Sequence, residues 1–247
     1  MQNIFLLLLL TFASAIWAKE RPTILVYNVN TKETVLSENA DAVRPMASIT
    51  KLMTAMVALD HYSLTDKLPL SKTASVTVEQ LLIRLLVRSD NSASEVLARN
   101  YPQGRSAFIA QMNSRTTQLG LVSTEFTDPS GLLATNITTA RELVKIVSAA
   151  GSYSFIRKIS SQAEVHQTSV SKKRTKTIIL DNTNKSILFE FNNILISKTG
   201  FTNKAGRCLA MLVDRNGQQH VIVILGEPTK LARDQLARNL LSANPIN

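Results

Sequence analysis

Arg44-Pro45-Met46-Ala47-Ser48-Ile49-Thr50-Lys51-Leu52-Met53-Thr54-Ala55-Met56-Val57-Ala58-Leu59 is the stretch from which the rest of the chain is read. Its apolar residues at Ile49, Leu52, Met53, Met56, Val57 and Leu59 follow a helical period. Ser48 therefore opens an apolar helix, with Lys51 three residues further on. Residues i and i+3 share a helix face, so the lysine amine can reach the serine hydroxyl. The ordinary reading of such a serine is an N-cap. A serine beside a lysine is also a nucleophile beside its base. The remainder of the chain decides between the two.

Two further strings favour chemistry. Ser89-Asp90-Asn91 follows the apolar helical run Val78 to Val87 and precedes a second helical stretch, Ser92 to Ala98. A polar triplet between two apolar helices can project its side chains into a cleft; the plain alternative is a helix cap at Ser89 or Asp90. Lys198-Thr199-Gly200 ends the β-like run Ile194 to Ser197. There the lysine offers charge, the threonine a hydroxyl, and the glycine room for a substrate backbone; the plain alternative is an edge strand turning at Gly200. A Ser-x-x-Lys arises by chance roughly once in a chain of this length. Ser-Asp-Asn and Lys-Thr-Gly each arise in about one chain in twenty, so all three in order point to a common site. The competing Ser169-to-Lys172 pair lies in a polar, basic stretch with no apolar face to anchor it.

The first eighteen residues read as a secretory signal peptide, with an aliphatic segment Ile4 to Leu10 and cleavage after Ala18 or Ala15. The expected domain is then 19–247, exported to the periplasm, without a stable membrane anchor. Cys208 is the single cysteine, so no intrachain disulfide forms. It sits among apolar residues and reads as a small core side chain. The three histidines, His61, His166 and His220, have no metal-ligand spacing and flank no nucleophile. No metal or cofactor is expected, and a Ser–Lys pair is favoured over a Ser–His–Asp triad. The formal charge of +10, from 28 Lys and Arg against 18 Asp and Glu, suits an anionic polymer. No basic repeat or aromatic-basic interleaving marks a nucleic-acid binder.

Strands are expected at Thr23 to Val29, Glu33 to Ser37, Ile178 to Leu180, Ile194 to Ser197, Cys208 to Asp214 and His220 to Gly226, with an Asn-Gly hairpin at 216–217. Helices are expected over Glu79 to Val87, Ser92 to Arg99, Arg105 to Leu119, Thr139 to Ala149, Ser152 to Ile159 and Thr229 to Leu241. Leu231, Leu236, Leu240 and Leu241 are expected to hold the closing helix to the sheet. Strands at both chain ends imply an α/β (α+β) fold with a mainly antiparallel sheet. The sheet lobe covers about 19–65 and 165–247, and an inserted helical lobe about 66–164. A cleft between the lobes is the natural meeting point of the motifs.

With Phe126-Thr127-Asp128-Pro129-Ser130-Gly131-Leu132 and Lys198-Thr199-Gly200-Phe201-Thr202, these strings resemble the low-molecular-mass penicillin-binding proteins of peptidase family S11, most of all their D-alanyl-D-alanine endopeptidases. The resemblance implies a penicillin-binding-protein transpeptidase-like, β-lactamase-like fold. It also implies a serine D-alanyl-D-alanine endopeptidase acting on peptidoglycan and acylated by β-lactams. Ser48 becomes the acyl-ester nucleophile, Lys51 the proton acceptor, Ser89 a proton relay and Asn91 the residue orienting the substrate amide. Lys198, Thr199 and Gly200 become substrate-binding, with Lys198 either meeting the terminal carboxylate or tuning the field around Ser89. Backbone N–H groups of Ser48 and of Phe201 or Thr202 would hold the oxyanion. The alternatives are a carboxypeptidase trimming terminal D-alanine and a non-catalytic wall-binding protein. A class A β-lactamase needs a glutamate for deacylation, and Glu142 lies on an ordinary helix without that family's Glu-x-x-Leu-Asn string.

Overall fold

A computed structural model of the chain describes residues 21–171 and 174–243, with residues 169–171 and 174–176 by backbone alone. The leader reading over 1–18 and the competing Ser169–Lys172 pair lie outside the described residues and side chains.

Strands β1 (Thr23–Asn28) and β2 (Glu33–Glu38) form the opening hairpin. The short β3 (Arg44–Pro45) leads through a 3-10 turn, Ala47–Thr50, into helix α1 (Lys51–His61). A small hairpin, β4 (Lys67–Pro69) with β5 (Ser75–Thr77), precedes α2 (Val78–Val87), α3 (Asn91–Arg99) and α4 (Arg105–Gln118). An irregular loop reaches β6 (Ile137–Thr138), which pairs with β3, and is followed by α5 (Ala140–Ala150) and α6 (Ser154–Ser160). The chain then makes the hairpin β7 (Glu164–Ser171) and β8 (Arg174–Asp181), α7 (Lys185–Glu190), strands β9 (Ile194–Thr202), β10 (Gly206–Arg215) and β11 (Gln218–Glu227), and closes with α8 (Lys230–Ser242).

The main sheet has the order β2-β1-β11-β10-β9, and every pairing is antiparallel. The two chain ends meet at its centre, where Leu25 lies opposite Val223. Alternation along the strands divides the core. Leu25, Ala210, Leu212, Val221, Val223 and Leu225 pack toward helices α1 to α6, while Val26, Leu209, Met211, Ile222 and Ile224 pack toward α7 and α8. Each such Val, Leu, Ile or Met side chain contributes about 1.5–3 kcal/mol when buried. Polar residues set the helix starts. Thr77 and Gln80 close a capping box on α2, and Thr139 and Thr229 cap α5 and α8. Asn216 and Gly217 both have positive φ, 54° and 81°, as a two-residue hairpin turn demands. No helix among the described residues is long and apolar enough to cross a membrane.

The structure corrects three readings and adds elements that the sequence leaves unmarked. Ile178 to Leu180 does not return to the main sheet; it lies in the separate β7–β8 hairpin, which Gln167 ties to α2 by donating to Gln80 O at 3.1 Å. Lys198-Thr199-Gly200 does not end its strand, because β9 continues to Thr202 and turns only there. Leu231 is 74% exposed, so α8 is held by Leu236, Leu240, Ala237 and Leu241 instead. The added elements are the β3–β6 and β4–β5 pairs and helix α7, whose periods are too short for sequence pattern to separate from loop, and β7, which its polar composition hides.

Candidate active site

The nucleophile turn is held in an unusual backbone. Ala47, immediately before Ser48, has φ 47°, a left-handed conformation that a residue with a Cβ seldom adopts. Ser48 lies within the 3-10 turn, not on α1 itself, and in 3-10 geometry side chains at i and i+3 eclipse. This brings Lys51 Nζ to 2.8 Å from Ser48 Oγ. Strand β9 lies directly against the turn: a Cβ on Gly200 would stand 3.0 Å from Ser48 N and from Met46 O. Gly200 thus admits the protein's own backbone, where the sequence suggests room for a substrate.

Lys51 is wholly buried and has three oxygen neighbours. Its Nζ donates to Asn91 Oδ1 at 2.7 Å and to Ser130 O at 2.6 Å, besides the contact with Ser48. A neutral amine has two hydrogens and one lone pair. The amide oxygen and the carbonyl can only accept, so they take the hydrogens. The lone pair falls to Ser48, the one neighbour with a proton to give. Burial pulls the Lys51 amine down to about 7, against the opposing pull of Asp128 and Asp90. Burial is the leading cause, and the neighbouring cation Lys198 is not among the largest contributions.

The Phe126–Leu132 string, which the sequence offers for its family resemblance but to which it assigns no role, supplies the Ser130 carbonyl. The Asp128 carboxylate accepts from Ser130 N, Ser130 Oγ, Gly131 N and Leu133 N at 2.6–2.9 Å and from Leu132 N at 3.3 Å. These donors hold it below the usual carboxylate range despite its burial. Asn136 joins this loop to the nucleophile turn, donating to Thr50 Oγ1 and Asp128 O. Thr54 Oγ1 donates to Pro129 O at 2.6 Å. Gly131, at φ 76°, lies so close that a Cβ there would stand 1.9 Å from Ala47 O.

Ser89 and Asn91 reach the same cleft from the helical side. Ser89 has φ 57°, which kinks the chain between α2 and α3. Asp90 between them is the helix cap, accepting from Ser92 N and Ala93 N and bound by the Arg84 guanidinium. The cap reading and the cleft reading are thus both realised, by alternate residues of one triplet. Lys198 is 1% exposed, and its Nζ donates to Ser89 Oγ at 2.9 Å and Thr199 O at 3.0 Å. Burial, with the charges of Lys51 and Arg233 next, holds its amine well below the ordinary lysine range. Thr199 Oγ1 donates to Thr183 Oγ1 at 2.6 Å.

The cleft has a volume of about 370 Å³ and contains Ser48, Ser89, Asn91, Thr199 and Gly200. Its wall also holds Phe201, Arg207, Lys230 and Arg233, cations and an aromatic that no sequence motif marks. They come from β9, β10 and α8, so only the assembled sheet brings them together. A larger hollow of about 420 Å³, lined by Arg84, Arg88 and Asp90 on α2 and the 88–90 turn, holds none of the predicted site residues. Glu142 is absent from the cleft. It accepts from Val122 N, Ser123 N and Thr124 Oγ1 and is committed to holding that loop. Cys208 is buried, with its thiol pushed up to about 11, as expected of a core residue.

A serine hydroxyl against a buried lysine, with a second serine–lysine pair across the cleft, is the arrangement of a serine-type acyl-transfer enzyme. The chain belongs to peptidase family S11, the D-alanyl-D-alanine carboxypeptidase family, which matches residues 62–229. It is 35% identical over 222 residues to the D-alanyl-D-alanine endopeptidase of Escherichia coli K12, covering 81% of this chain and 69% of that protein. It is also 35% identical over 222 residues to the D-alanyl-D-alanine endopeptidase of Pseudomonas aeruginosa, with the same coverage. The fold is similar to that of the Streptomyces K15 DD-transpeptidase, with a TM-score of 0.80 at 28% identity over 87% of this chain and 93% of that one. It is likewise similar to penicillin-binding protein D2 of Listeria monocytogenes in its ampicillin-bound form, with a TM-score of 0.76 at 26% identity over 88% of this chain and 94% of that one. The α+β, penicillin-binding-protein-like architecture expected from the sequence is the one found.

Proposed function

We propose that this enzyme is a serine D-alanyl-D-alanine endopeptidase that hydrolyses D,D-crosslinks between peptidoglycan stem peptides and is acylated by β-lactams. The observation that carries the reading is the environment of Lys51, whose two acceptors leave its lone pair to Ser48. Ser48 Oγ attacks the D-alanine carbonyl while its proton passes to Lys51 Nζ. Backbone N–H groups of Ser48 and of β9 near Phe201 hold the oxyanion. The C–N bond then breaks, and the proton on Lys51 passes by way of Ser89, whose hydroxyl is held by Lys198, to the leaving amine, which leaves Lys51 neutral again. Asn91 steers the substrate amide, and Thr199 meets the carboxylate beside the scissile bond. Water attacks the ester as Lys51 takes its proton, the ester C–O bond breaks, and Lys51 returns that proton to Ser48 Oγ, so that the free serine and neutral amine are restored. With Glu142 committed elsewhere, the same amine serves both half-reactions.

The endopeptidase reading is supported by the relatives in Escherichia coli and Pseudomonas aeruginosa, which bear that name and share 35% identity with this chain. The carboxypeptidase reading is supported by the family description and by a D-alanyl-D-alanine carboxypeptidase of Streptomyces sp. K15, 28% identical over 243 residues. The aliphatic leader and the charge of +10 support export, with cleavage after Ala18 or Ala15, and loose contact with anionic envelope polymers. Digestion of purified peptidoglycan by residues 19–247, with products separated by mass, tests the proposal. Loss of crosslinked dimers is expected; loss of pentapeptide with dimers intact would make it a carboxypeptidase.

A further inference from the structure

One end of the cleft holds groups that the acyl-transfer step does not use. The Arg207 guanidinium lies 3.6 Å from the centre of the Phe201 ring. The two residues are register partners on β10 and β9. Phe201 stands two residues from Thr199, on the same face of the strand, and both line the cleft. Phe201 is 46% exposed, although the apolar core lies close by.

The charge at this end is unbalanced. Lys230 and Arg233 share one carboxylate, that of Asp234. Arg207 has no ion pair among the described residues, and its Nε is buried without a hydrogen-bond partner. Glu227, opposite Arg207 in register on β11, makes no ion pair with it either. A guanidinium seated over an aromatic ring still has N–H groups that a carboxylate can accept from.

A carboxypeptidase substrate ends at the carboxylate beside its scissile bond. A crosslink continues from the leaving amine into a second stem peptide with further carboxylates. We propose that Phe201 and Arg207 form a shelf that binds this continuing anionic peptide, making them specificity-determining residues for crosslinked over terminal substrates. The proposal rests on the endopeptidase reading above. The shelf sets an aromatic ring and a cation without an ion pair among the described residues in the same cleft wall as Thr199, and a leaving group longer than one residue brings the further carboxylates that such a cation can meet.

The test compares kcat/KM for a synthetic D,D-crosslinked stem-peptide dimer with that for the unlinked pentapeptide, in wild type, F201A and R207A. Benzylpenicillin acylation checks that the site is assembled in each. Both variants are expected to lower the dimer-to-pentapeptide ratio about tenfold, mainly through KM on the dimer. A dimer whose leaving stem carries amides in place of free carboxylates should cost wild type a similar factor and R207A little more. A ratio within twofold of wild type in both variants, with the amidated dimer cleaved as well as the acid, would overturn the shelf and leave the endopeptidase reading standing. Wild type that acylates and trims pentapeptide but leaves dimers intact would overturn the endopeptidase reading itself, and the shelf with it.

Discussion

Gly131→Ala tests how tightly the 128–136 loop sets the nucleophile. Its new Cβ would fall 1.9 Å from Ala47 O, about 1.1 Å inside the 3.0 Å that real Cβ atoms respect, with Thr50 Oγ1 also too near at 2.7 Å. Neither Ala47 nor Gly131 can yield alone, because the Asp128 carboxylate pins Gly131 N while β9 backs the turn. The left-handed φ of 76° adds about 1–2 kcal/mol for any residue with a Cβ. Overpacking of this kind adds about 1–3 kcal/mol. The expected loss of stability is therefore about 3 kcal/mol, or roughly 6–12 °C in Tm for a chain of this size. Relief by displacement moves the peptide that carries Ser48 by about 1 Å, which costs on the order of a hundredfold in rate. Thermal melting followed by benzylpenicillin acylation, measured well below the lowered Tm, reads both effects. A folded G131A that acylates within threefold of wild type would refute the view that this contact fixes Ser48.

Three further outcomes follow from the same geometry. The acylation rate should rise with pH through about 7 and level off above it, because Lys51 must be neutral to accept the proton; K51A should lose at least about a hundredfold with no such inflection. D128N should cost about 2–3 kcal/mol by weakening the carboxylate's charged hydrogen bonds. Since Asp128 is held below its ordinary value of 3.8, its contribution is complete above that pH and is lost as pH falls below it, so the Tm gap between wild type and D128N should close in acid. K198A should slow acylation by penicillin and by an ester donor lacking the carboxylate to a similar degree, since its amine contacts Ser89; a loss confined to penicillin would restore direct carboxylate binding.

The parts legible in the sequence are those fixed by local pattern. Short uninterrupted β-branched and aliphatic runs around Leu25 and Val223 mark strands buried on both faces, and the period from Ile49 onward marks α1. Polar caps and the Asn216–Gly217 turn set boundaries to within a residue or two. Ser48, Lys51, Ser89, Asn91, Lys198, Thr199 and Gly200 are nameable because each belongs to a short string. What stays illegible depends on contacts between distant segments. Gly131 is one residue of a quoted string until the Ala47 carbonyl is seen against it. The Ser130 carbonyl has no side-chain signature, yet it completes the Lys51 environment across 79 residues of sequence. Arg207 and Arg233 are two basic residues among 28, distinguished only when β10 and α8 carry them to one cleft. The extent of β9 is hidden because a Lys-Thr-Gly string suggests a turn, whereas Gly200 serves close packing within a strand.

The central claim is that Ser48, activated by a buried amine, carries the acyl group. Mass spectrometry of the protein after reaction with benzylpenicillin tests it most directly. The account predicts one penicilloyl adduct per chain, on the peptide that carries Ser48, and none in S48A. An adduct on Ser89 or any other serine, or stoichiometric labelling that persists in S48A, would contradict it.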